Sequence, residues 1–192
     1  MNEPLFDYIA NYIELTEEEK ELLSLKLHHR KYLKGQYVVQ QGDICKHESF
    51  VLSGALKTFH LDNQGQEHVV AFAIENWWTA DLGSLISQSP ADYNVQCLEN
   101  TELIQIAYND LQELYKALPK LERFFRIIIE KAFVSSQKRI ASNLSLTAKE
   151  RYLNFKKHYP QIEQRVPQYL IASYIGITKE FLSTVRNQLA SE

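Results

Sequence analysis

The residues most capable of recognition chemistry lie near the end of the sequence, between positions 168 and 189. If a helix begins at residue 179, five polar side chains occupy its outward positions: Lys179, Glu180, Ser183, Thr184 and Asn187. Side chains of these types are short or flexible enough to hydrogen-bond base edges in a DNA major groove. Thr178 precedes them, and its hydroxyl can accept a first-turn amide as an N-cap. These six residues are the candidate contacts to double-stranded DNA.

The surrounding residues have the types that two helices need when they cross at a steep angle. Ala172 is small where the second helix passes closest, and Gly176 can adopt the positive φ of a tight turn. Apolar side chains would fill the wedge between the helices: Ile171, Ile175, Ile177, Leu182 and Val185. The alternative is an ordinary helical hairpin whose polar face is only solvated. Agreement at seven constrained positions favours a DNA-binding helix-turn-helix.

An enzymatic metal site is the second hypothesis, because rolls of short strands also form cupin enzymes. A cupin metal needs two or three His and a Glu that converge from neighbouring strands. His47 stands at one suitable position, but Ser49 occupies the next; His60, Glu67 and His68 could also converge, although surface histidines are commoner. The sequence has no Ser-His-Asp arrangement, Walker loop or glycine-rich dinucleotide turn. We therefore expect no catalytic residue, no metal and no cofactor.

Charge is distributed unevenly along the 192 residues, although the net charge is only -3. Residues 1–110 contain 7 Lys and Arg against 17 Asp and Glu, whereas residues 111–192 contain 14 against 7. This asymmetry indicates that only the C-terminal part meets a polyanion. The sequence has no apolar run long enough to span a membrane and no signal-peptide pattern, so we expect a cytoplasmic protein. Cys45 and Cys97 are interpreted as small buried side chains.

The first half of the sequence predicts one short helix followed by strands. Thr16 and Glu19 have the spacing of a capping box, and the helix after them would bury Leu22, Leu23 and Leu27. Between residues 32 and 106, runs rich in β-branched and aromatic residues indicate strands at 37–39, 49–52, 56–59, 68–72 and 103–106. Glycines fall mostly between these runs. Short strands with regular turns favour a barrel or roll.

The second half of the sequence predicts helices throughout. One apolar stripe recurs every three or four residues: Leu114, Leu118, Leu121, Phe125, Ile128, Ala132, Ile140 and Leu144. Further apolar residues make the same helix apolar on a second side: Phe124, Ile127, Ile129 and Phe133. A partner helix from another copy would explain the second side, giving a symmetric homodimer through residues 118–144. The alternative is that both sides pack within one chain. Thr147 then caps a further helix that ends near Tyr159.

These motifs together resemble the Crp/Fnr family of regulators, which couple a β-roll of the cyclic-nucleotide type to a helix-turn-helix. Residues 33–36, 41–43 and 50–54 (Leu-Lys-Gly-Gln, Gln-Gly-Asp and Phe-Val-Leu-Ser-Gly) are similar to the family's opening strands, and residues 62–65 (Asp-Asn-Gln-Gly) to its hairpin. Residues 167–177 resemble the ending found in a Bacteroidetes-like subgroup. The resemblance covers about residues 16–189 and implies transcription regulation.

One departure from the family concerns the cyclic-nucleotide phosphate. Members that bind cyclic AMP carry Gly-Glu-Leu and then Arg-Ser or Arg-Thr, whose Arg neutralises the phosphate. Here the aligned residues are Ala80-Asp81-Leu82 and Ala91-Asp92. Without a cation, two acids would repel a phosphate, so the usual cyclic-nucleotide site is degenerate. An altered mode of nucleotide binding and an uncharged effector remain alternatives. The candidate effector pocket comprises Trp78, Asp81, Leu82, Gly83, Ala91 and Asp92. Trp77 and Trp78 would cap an apolar cavity at its edge, although core packing is the commoner role for such residues.

The expected fold is α+β, with a double-stranded β-helix (jelly-roll-like) sensor domain, a long dimerisation helix and a helical C-terminal domain. We place the sensor at residues 1–110, the dimerisation helix at 111–146 and the helix-turn-helix domain at 147–192. The expected partners are double-stranded DNA and a second copy of the chain. RNA polymerase and a small-molecule effector of unknown identity are the further partners to be considered. Signalling would proceed through a hinge at residues 144–147 that resets the spacing of two recognition helices.

Overall fold

The computed structural model describes residues 2–190, and its first half is built from strands. The strands are β1 (Leu27–Tyr32), β2 (Tyr37–Val39), β3 (His47–Ser53), β4 (Leu56–Leu61), β5 (Glu67–Ala73), β6 (Trp78–Thr79), β7 (Asn94–Cys97) and β8 (Thr101–Ala107). They form two four-stranded sheets with the orders β1-β8-β3-β6 and β2-β7-β4-β5. Every pairing is antiparallel. The predicted roll and the α+β class are thereby confirmed.

Helices precede the roll, interrupt it once and make up the rest of the described chain. They are α1 (Glu3–Ala10), α2 (Glu17–Ser24), α3 (Leu82–Ser87), α4 (Tyr108–Ala117), α5 (Pro119–Ser145), α6 (Ala148–His158), α7 (Pro160–Arg165), α8 (Gln168–Ile175) and α9 (Lys179–Ala190). The capping box predicted at Thr16 and the cap predicted at Thr147 are both present, and each Thr makes reciprocal bonds with the Glu three residues later. Met1, Ser191 and Glu192, which the predicted domains include, lie outside the described residues.

The prediction for Leu22, Leu23 and Leu27 is only partly right. Leu23 is fully buried, but Leu22 is exposed and α2 ends at Ser24. Leu27 begins β1, which pairs with β8 along its whole length. β1 has the sequence Leu-His-His-Arg-Lys-Tyr, whose polar side chains face solvent in an outer strand of its sheet, so no alternation marks it as a strand.

The predicted single helix after residue 111 is interrupted at Leu118. Pro119 has no N–H and restricts the residue before it, so α4 ends and α5 starts at this point. α4 packs on the roll through Leu111 and Leu114, and the first turns of α5 do so through Phe124 and Phe125. The remainder of α5 lies beside the C-terminal helices, and its Arg139 still donates to the Val70 carbonyl of the roll at 2.7 Å.

The C-terminal helices share a hydrophobic core with the outer face of the roll. Phe59, Val69 and Phe72 from the roll lie in one cluster with Phe155 and Ile171 from the helices. Polar contacts fix the same interface at two places. The Ser173 hydroxyl of α8 accepts from the Val69 N–H and donates to the Glu67 carbonyl, both at 3.0 Å.

The Arg165 guanidinium makes the second polar contact, by binding two carboxylates of the roll. It donates to Glu75 at 2.7 and 3.0 Å and to Glu99 at 2.8 and 3.2 Å. The hydrogen bonds from Arg165 hold the pKa of the Glu75 carboxyl below its ordinary value. The roll therefore holds the helix-turn-helix domain in one defined orientation.

Candidate nucleic-acid interface and sensor pocket

α8 and α9 form the predicted helix-turn-helix. Gly176 lies at the end of α8 with φ 70°, the left-handed conformation that the tight turn requires. Four of the apolar wedge residues and Ala172 are buried, and Ile177 is partly buried against them. The wedge residues that are buried are Ile171, Ile175, Leu182 and Val185. The steric prediction for this motif is therefore confirmed.

The polar face of α9 is presented to solvent. The five predicted outward residues are all exposed: Lys179, Glu180, Ser183, Thr184 and Asn187. Thr178 acts as predicted, since its Oγ1 accepts from the Phe181 N–H at 3.2 Å. The Thr184 hydroxyl donates to the Glu180 carbonyl at 3.2 Å. The structure thus brings all six candidate DNA contacts onto one end and one face of α9.

Phe181 is a residue of α9 that the helix-turn-helix pattern in the sequence assigns to neither face of the helix. It is 50% exposed, beside Thr184 at the next turn of α9. The only available signal was an aromatic residue next to the wedge residue Leu182. An exposed aromatic side chain on this helix can contact the methyl group of thymine. On the other flank, Arg186 is held by Glu163 at 3.5 Å.

Asp81 is the central residue of the candidate sensor pocket. Its side chain is buried and caps α3, with Oδ1 accepting from the Ser84 N–H at 2.9 Å. Oδ2 accepts from the N–H groups of Asp92 and Tyr93, each at 2.9 Å. Three backbone amides that could bind an external anion are therefore occupied by an internal carboxylate.

The other predicted pocket residues are distributed between two environments. Leu82, Gly83 and Asp92 are exposed around the start of α3, whereas Ala91 is buried and its N–H bonds the Asp43 carbonyl at 2.8 Å. Trp78 does not join them, because its ring packs on Phe125 with centroids 5.0 Å apart. Trp78 belongs to the hydrophobic cluster between the roll and α5.

Trp77 likewise serves packing, since its ring contacts Tyr159, the residue after α6, with centroids 5.9 Å apart. Both tryptophans therefore pack against hydrophobic clusters, which is the role that the sequence favoured over capping a cavity. The interior of the roll is filled by apolar side chains, among them Val51, Leu85 and Val95. The two cysteines are buried as predicted, and burial raises the pKa of each thiol.

Two of the histidines considered as metal ligands, His60 and His68, are engaged elsewhere. His60 and His68 face each other across β4 and β5, but His60 Nδ1 lies 3.0 Å from the Asp92 carbonyl oxygen. His68 Nε2 lies 2.8 Å from an Asp62 carboxylate oxygen. Among residues 2–190, no group of three or more His, Cys, Asp or Glu side chains is arranged to hold a metal ion. No observation thus favours the cupin hypothesis.

The far half of α5 presents an exposed apolar face, which we name the α5 stripe: Ile129, Phe133, Ile140 and Leu144. Their exposed fractions are 41%, 61%, 55% and 84%. Phe125 is buried, and Ile128 is packed against the same cluster under the roll, so neither is available to a partner as the sequence suggested.

After α5, Leu146 is extended and Thr147 caps α6, which leaves a two-residue joint at the predicted hinge.

An antiparallel roll, a long helix and a C-terminal helix-turn-helix define a class of two-domain sensor proteins. Residues 29–117 match the cyclic nucleotide-binding domain family. None of the described helices is both long and apolar enough to cross a membrane.

The chain is similar to the transcriptional activator protein Anr of Pseudomonas protegens. The two are 27% identical over 81% of this chain and 68% of Anr. The fold matches that of the c-di-GMP-responsive global regulator CLP of Xanthomonas campestris, with a TM-score of 0.76, 17% identity and 92% of each chain covered. FixK2 from Bradyrhizobium japonicum gives a TM-score of 0.73 at 15% identity, over 86% of this chain and 85% of FixK2. In sequence and in fold, the chain is thus similar to transcription regulators of the Crp/Fnr type.

Proposed function

We propose that the protein binds specific sites in duplex DNA as a homodimer and regulates transcription there. The proposal rests on the two faces of α9: the exposed face is polar, and the buried face packs against α8. A recognition helix needs this combination, because its position must be fixed while its outer side chains reach base edges. Lys179, Glu180, Ser183, Thr184 and Asn187 would contact bases, and Thr178 would fix the start of the helix.

The proposed dimer forms through the α5 stripe. Four large apolar side chains on one exposed helical face favour a partner that removes them from water. A second α5 related by a two-fold axis presents the same side chains in return. Two recognition helices would then bind half-sites about one DNA turn, roughly 34–36 Å, apart.

The sensor roll is proposed to act without cyclic AMP in the usual position. The Asp81 carboxylate already holds the Ser84, Asp92 and Tyr93 amides, and the residue at the family's Arg position is Ala91. Any effector would change the angle between α5 and α6 at residues 146 and 147. This change would alter the spacing of the two recognition helices in the dimer. The name of Anr describes an activator; if this chain also activates, RNA polymerase is the further partner.

Selection from a random duplex pool tests the proposal directly. Purified full-length protein should enrich a two-fold symmetric sequence, and sedimentation at tens of micromolar should show a dimer. A pool that stays random after repeated selection at moderate salt would refute specific recognition. A monomer at that concentration would refute the dimer.

A further inference from the structure

A cavity of about 810 Å³ lies between α5 and the C-terminal helices α6 and α8. We name it the interdomain groove. Its volume falls within the range of about 300–1,000 Å³ that is usual for small-molecule sites. Neither the proposed dimer nor the recognition helix uses it.

The floor of the interdomain groove is apolar and aromatic. Val134 of α5 lines it together with Phe155 of α6, Tyr159 at the end of α6 and Tyr174 of α8. The Tyr159 hydroxyl approaches the Ser135 hydroxyl at 3.3 Å, so the two walls touch at one point. Such a floor suits the flat or aliphatic body of an organic molecule.

The walls of the interdomain groove carry a surplus of positive charge. Four cationic side chains line it: Lys131, Lys138, Arg139 and Arg151. Within the part of the chain that the structure describes, none of the four lies within 4.0 Å of a carboxylate. Glu130 also lines the groove, but it is paired with Arg126 at 2.6 Å. The electrostatics therefore favour an anion.

Arg151 gives the anion a specific partner. Its Nε is buried and has no hydrogen-bond partner among the described residues. A buried donor without an acceptor is costly, and a bound anion would supply the acceptor. Its Nη1 lies beside the helix-turn-helix turn, 3.4 Å from where a Cβ on Gly176 would stand. A ligand on Arg151 would thus contact the turn that orients α9.

The interdomain groove and the α5 stripe lie on opposite sides of α5. Lys138 and Ser142 line the groove, whereas Ile140 between them belongs to the stripe. Two residues along a helix turn by roughly 200°, so a partner helix on the stripe leaves the groove open. A second copy of the chain is therefore not its occupant.

We infer that the interdomain groove binds an amphipathic organic anion, with its body on the aromatic floor and its charged head at Lys138 and Arg151. Because α5, α6 and α8 all line it, an occupant would set the angle between the dimerisation helix and the helix-turn-helix. This regulatory consequence rests on the proposed DNA-binding function. Binding of the anion in the interdomain groove does not depend on that function.

Two fluorescent probes that differ only by a sulfonate test the inference on the full-length protein. They are 8-anilinonaphthalene-1-sulfonate and its neutral analogue N-phenyl-1-naphthylamine. We expect the sulfonate to bind once per chain and at least about tenfold more tightly than the neutral probe. Equal affinities would overturn the inference.

Substitutions in and outside the interdomain groove test whether the sulfonate probe binds there. Two variants should each weaken sulfonate binding at least about tenfold: Lys138→Glu and the double variant Lys138→Gln/Arg151→Gln. Lys138 is exposed, so its substitution leaves folding intact. The matched control Lys116→Gln/Arg123→Gln removes two cations elsewhere on α4 and α5 and should leave it within about twofold. Unchanged binding in the groove variants, or binding lost in Phe133→Ala on the α5 stripe, would overturn the inference.

Duplex DNA is the competing occupant, and the same variants distinguish it. If Lys138→Gln/Arg151→Gln weakens DNA binding and leaves sulfonate binding unchanged, the cations contact the DNA backbone and the inference is wrong. The probe titration contains no DNA, so its failure would not affect the proposed function. Failure of the DNA selection would likewise leave the ligand site standing.

Discussion

Asp81 Oδ2 accepts a 2.9 Å hydrogen bond from the backbone N–H of Asp92, eleven residues further along the chain. The same oxygen also accepts from Tyr93, and Oδ1 accepts from Ser84 at the start of α3. One buried carboxylate therefore ties the helix of the sensor roll to the loop that faces it. An internal carboxylate thus satisfies these amides, at positions that the family resemblance aligns with the phosphate-binding segment.

Removing the Asp81 carboxylate should destabilise the roll. Asp81→Ala leaves three amides without their charged acceptor, which should lower the free energy of unfolding by about 2–4 kcal/mol. The matched control is Asp92→Ala, whose side chain is exposed and whose N–H remains bonded; it should change stability by less than about 0.5 kcal/mol. Urea titrations measure both. Equal small effects would show that the carboxylate does not tie these segments together.

Cyclic AMP should bind weakly or not at all. Its phosphate would meet the Asp81 carboxylate and the Ala91 methyl group with no guanidinium nearby, and losing a buried charge-assisted pair costs about 2–5 kcal/mol. Since each 1.4 kcal/mol is a factor of about ten, a micromolar site becomes millimolar. Calorimetry with cyclic AMP and cyclic GMP checks this. A dissociation constant at or below about ten micromolar would contradict it.

Local patterns in the sequence predicted much of the fold. Both capping boxes, the five β-branched strands and the Gly176 turn depend on residues within a few positions of each other, so their types identify them. β1 was missed because its polar residues form a strand only through pairing with β8. The break at Leu118 could have been inferred from Pro119, but the apolar stripe continued across it and hid the boundary.

The candidate sites depend more on distant contacts, and the sequence predicted them less well. The two acids at Asp81 and Asp92 indicated repulsion of a phosphate, but nothing local showed that one carboxylate binds the other's backbone amide. Which apolar face of α5 stays exposed was also unpredictable, because Phe125 is covered by Trp78 from the roll. The outward face of α9 was predictable, since helical periodicity and the wedge residues define it.

Substitutions on the outward face of α9 should alter sequence preference. Lys179→Ala/Thr184→Ala removes one cation and one hydroxyl from the proposed base-reading surface. Each lost base contact should cost about 1–3 kcal/mol in discrimination, measured by competition between the selected DNA and a scrambled duplex. Lys157→Ala on α6 is the control, which should change only the salt dependence of binding. Discrimination that survives the double substitution would contradict the assignment of these residues.

Charges on the α5 stripe should separate the dimer. Phe133→Asp and Ile140→Asp each place a carboxylate where the proposed partner helix packs, and an unpaired buried charge is strongly unfavourable. Sedimentation should show folded monomers at tens of micromolar. Phe125→Asp is the contrasting variant: because Phe125 is buried under the roll, it should lower stability by about 3–5 kcal/mol instead. A dimer that persists in both stripe variants would place the interface elsewhere.

Glu48 should make stability fall as pH rises through the neutral range. Burial raises the pKa of its carboxyl from 4.5 to about 8. Between these values the folded chain keeps a proton that the unfolded chain has lost, so unfolding releases a proton and stability decreases with rising pH until about pH 8.

Replacing Glu48 with Gln removes this dependence, because the amide has the shape of the protonated acid and does not titrate. Glu48→Gln should match the wild type near pH 4.5 and exceed its free energy of unfolding by about 2–4 kcal/mol at pH 8. Urea titrations at several pH values between these limits measure the difference. The exposed Glu21→Gln serves as the control and should follow the wild type at every pH. A stability gain in Glu48→Gln that does not grow with pH would show that the carboxyl loses its proton in the folded protein as readily as in the unfolded one.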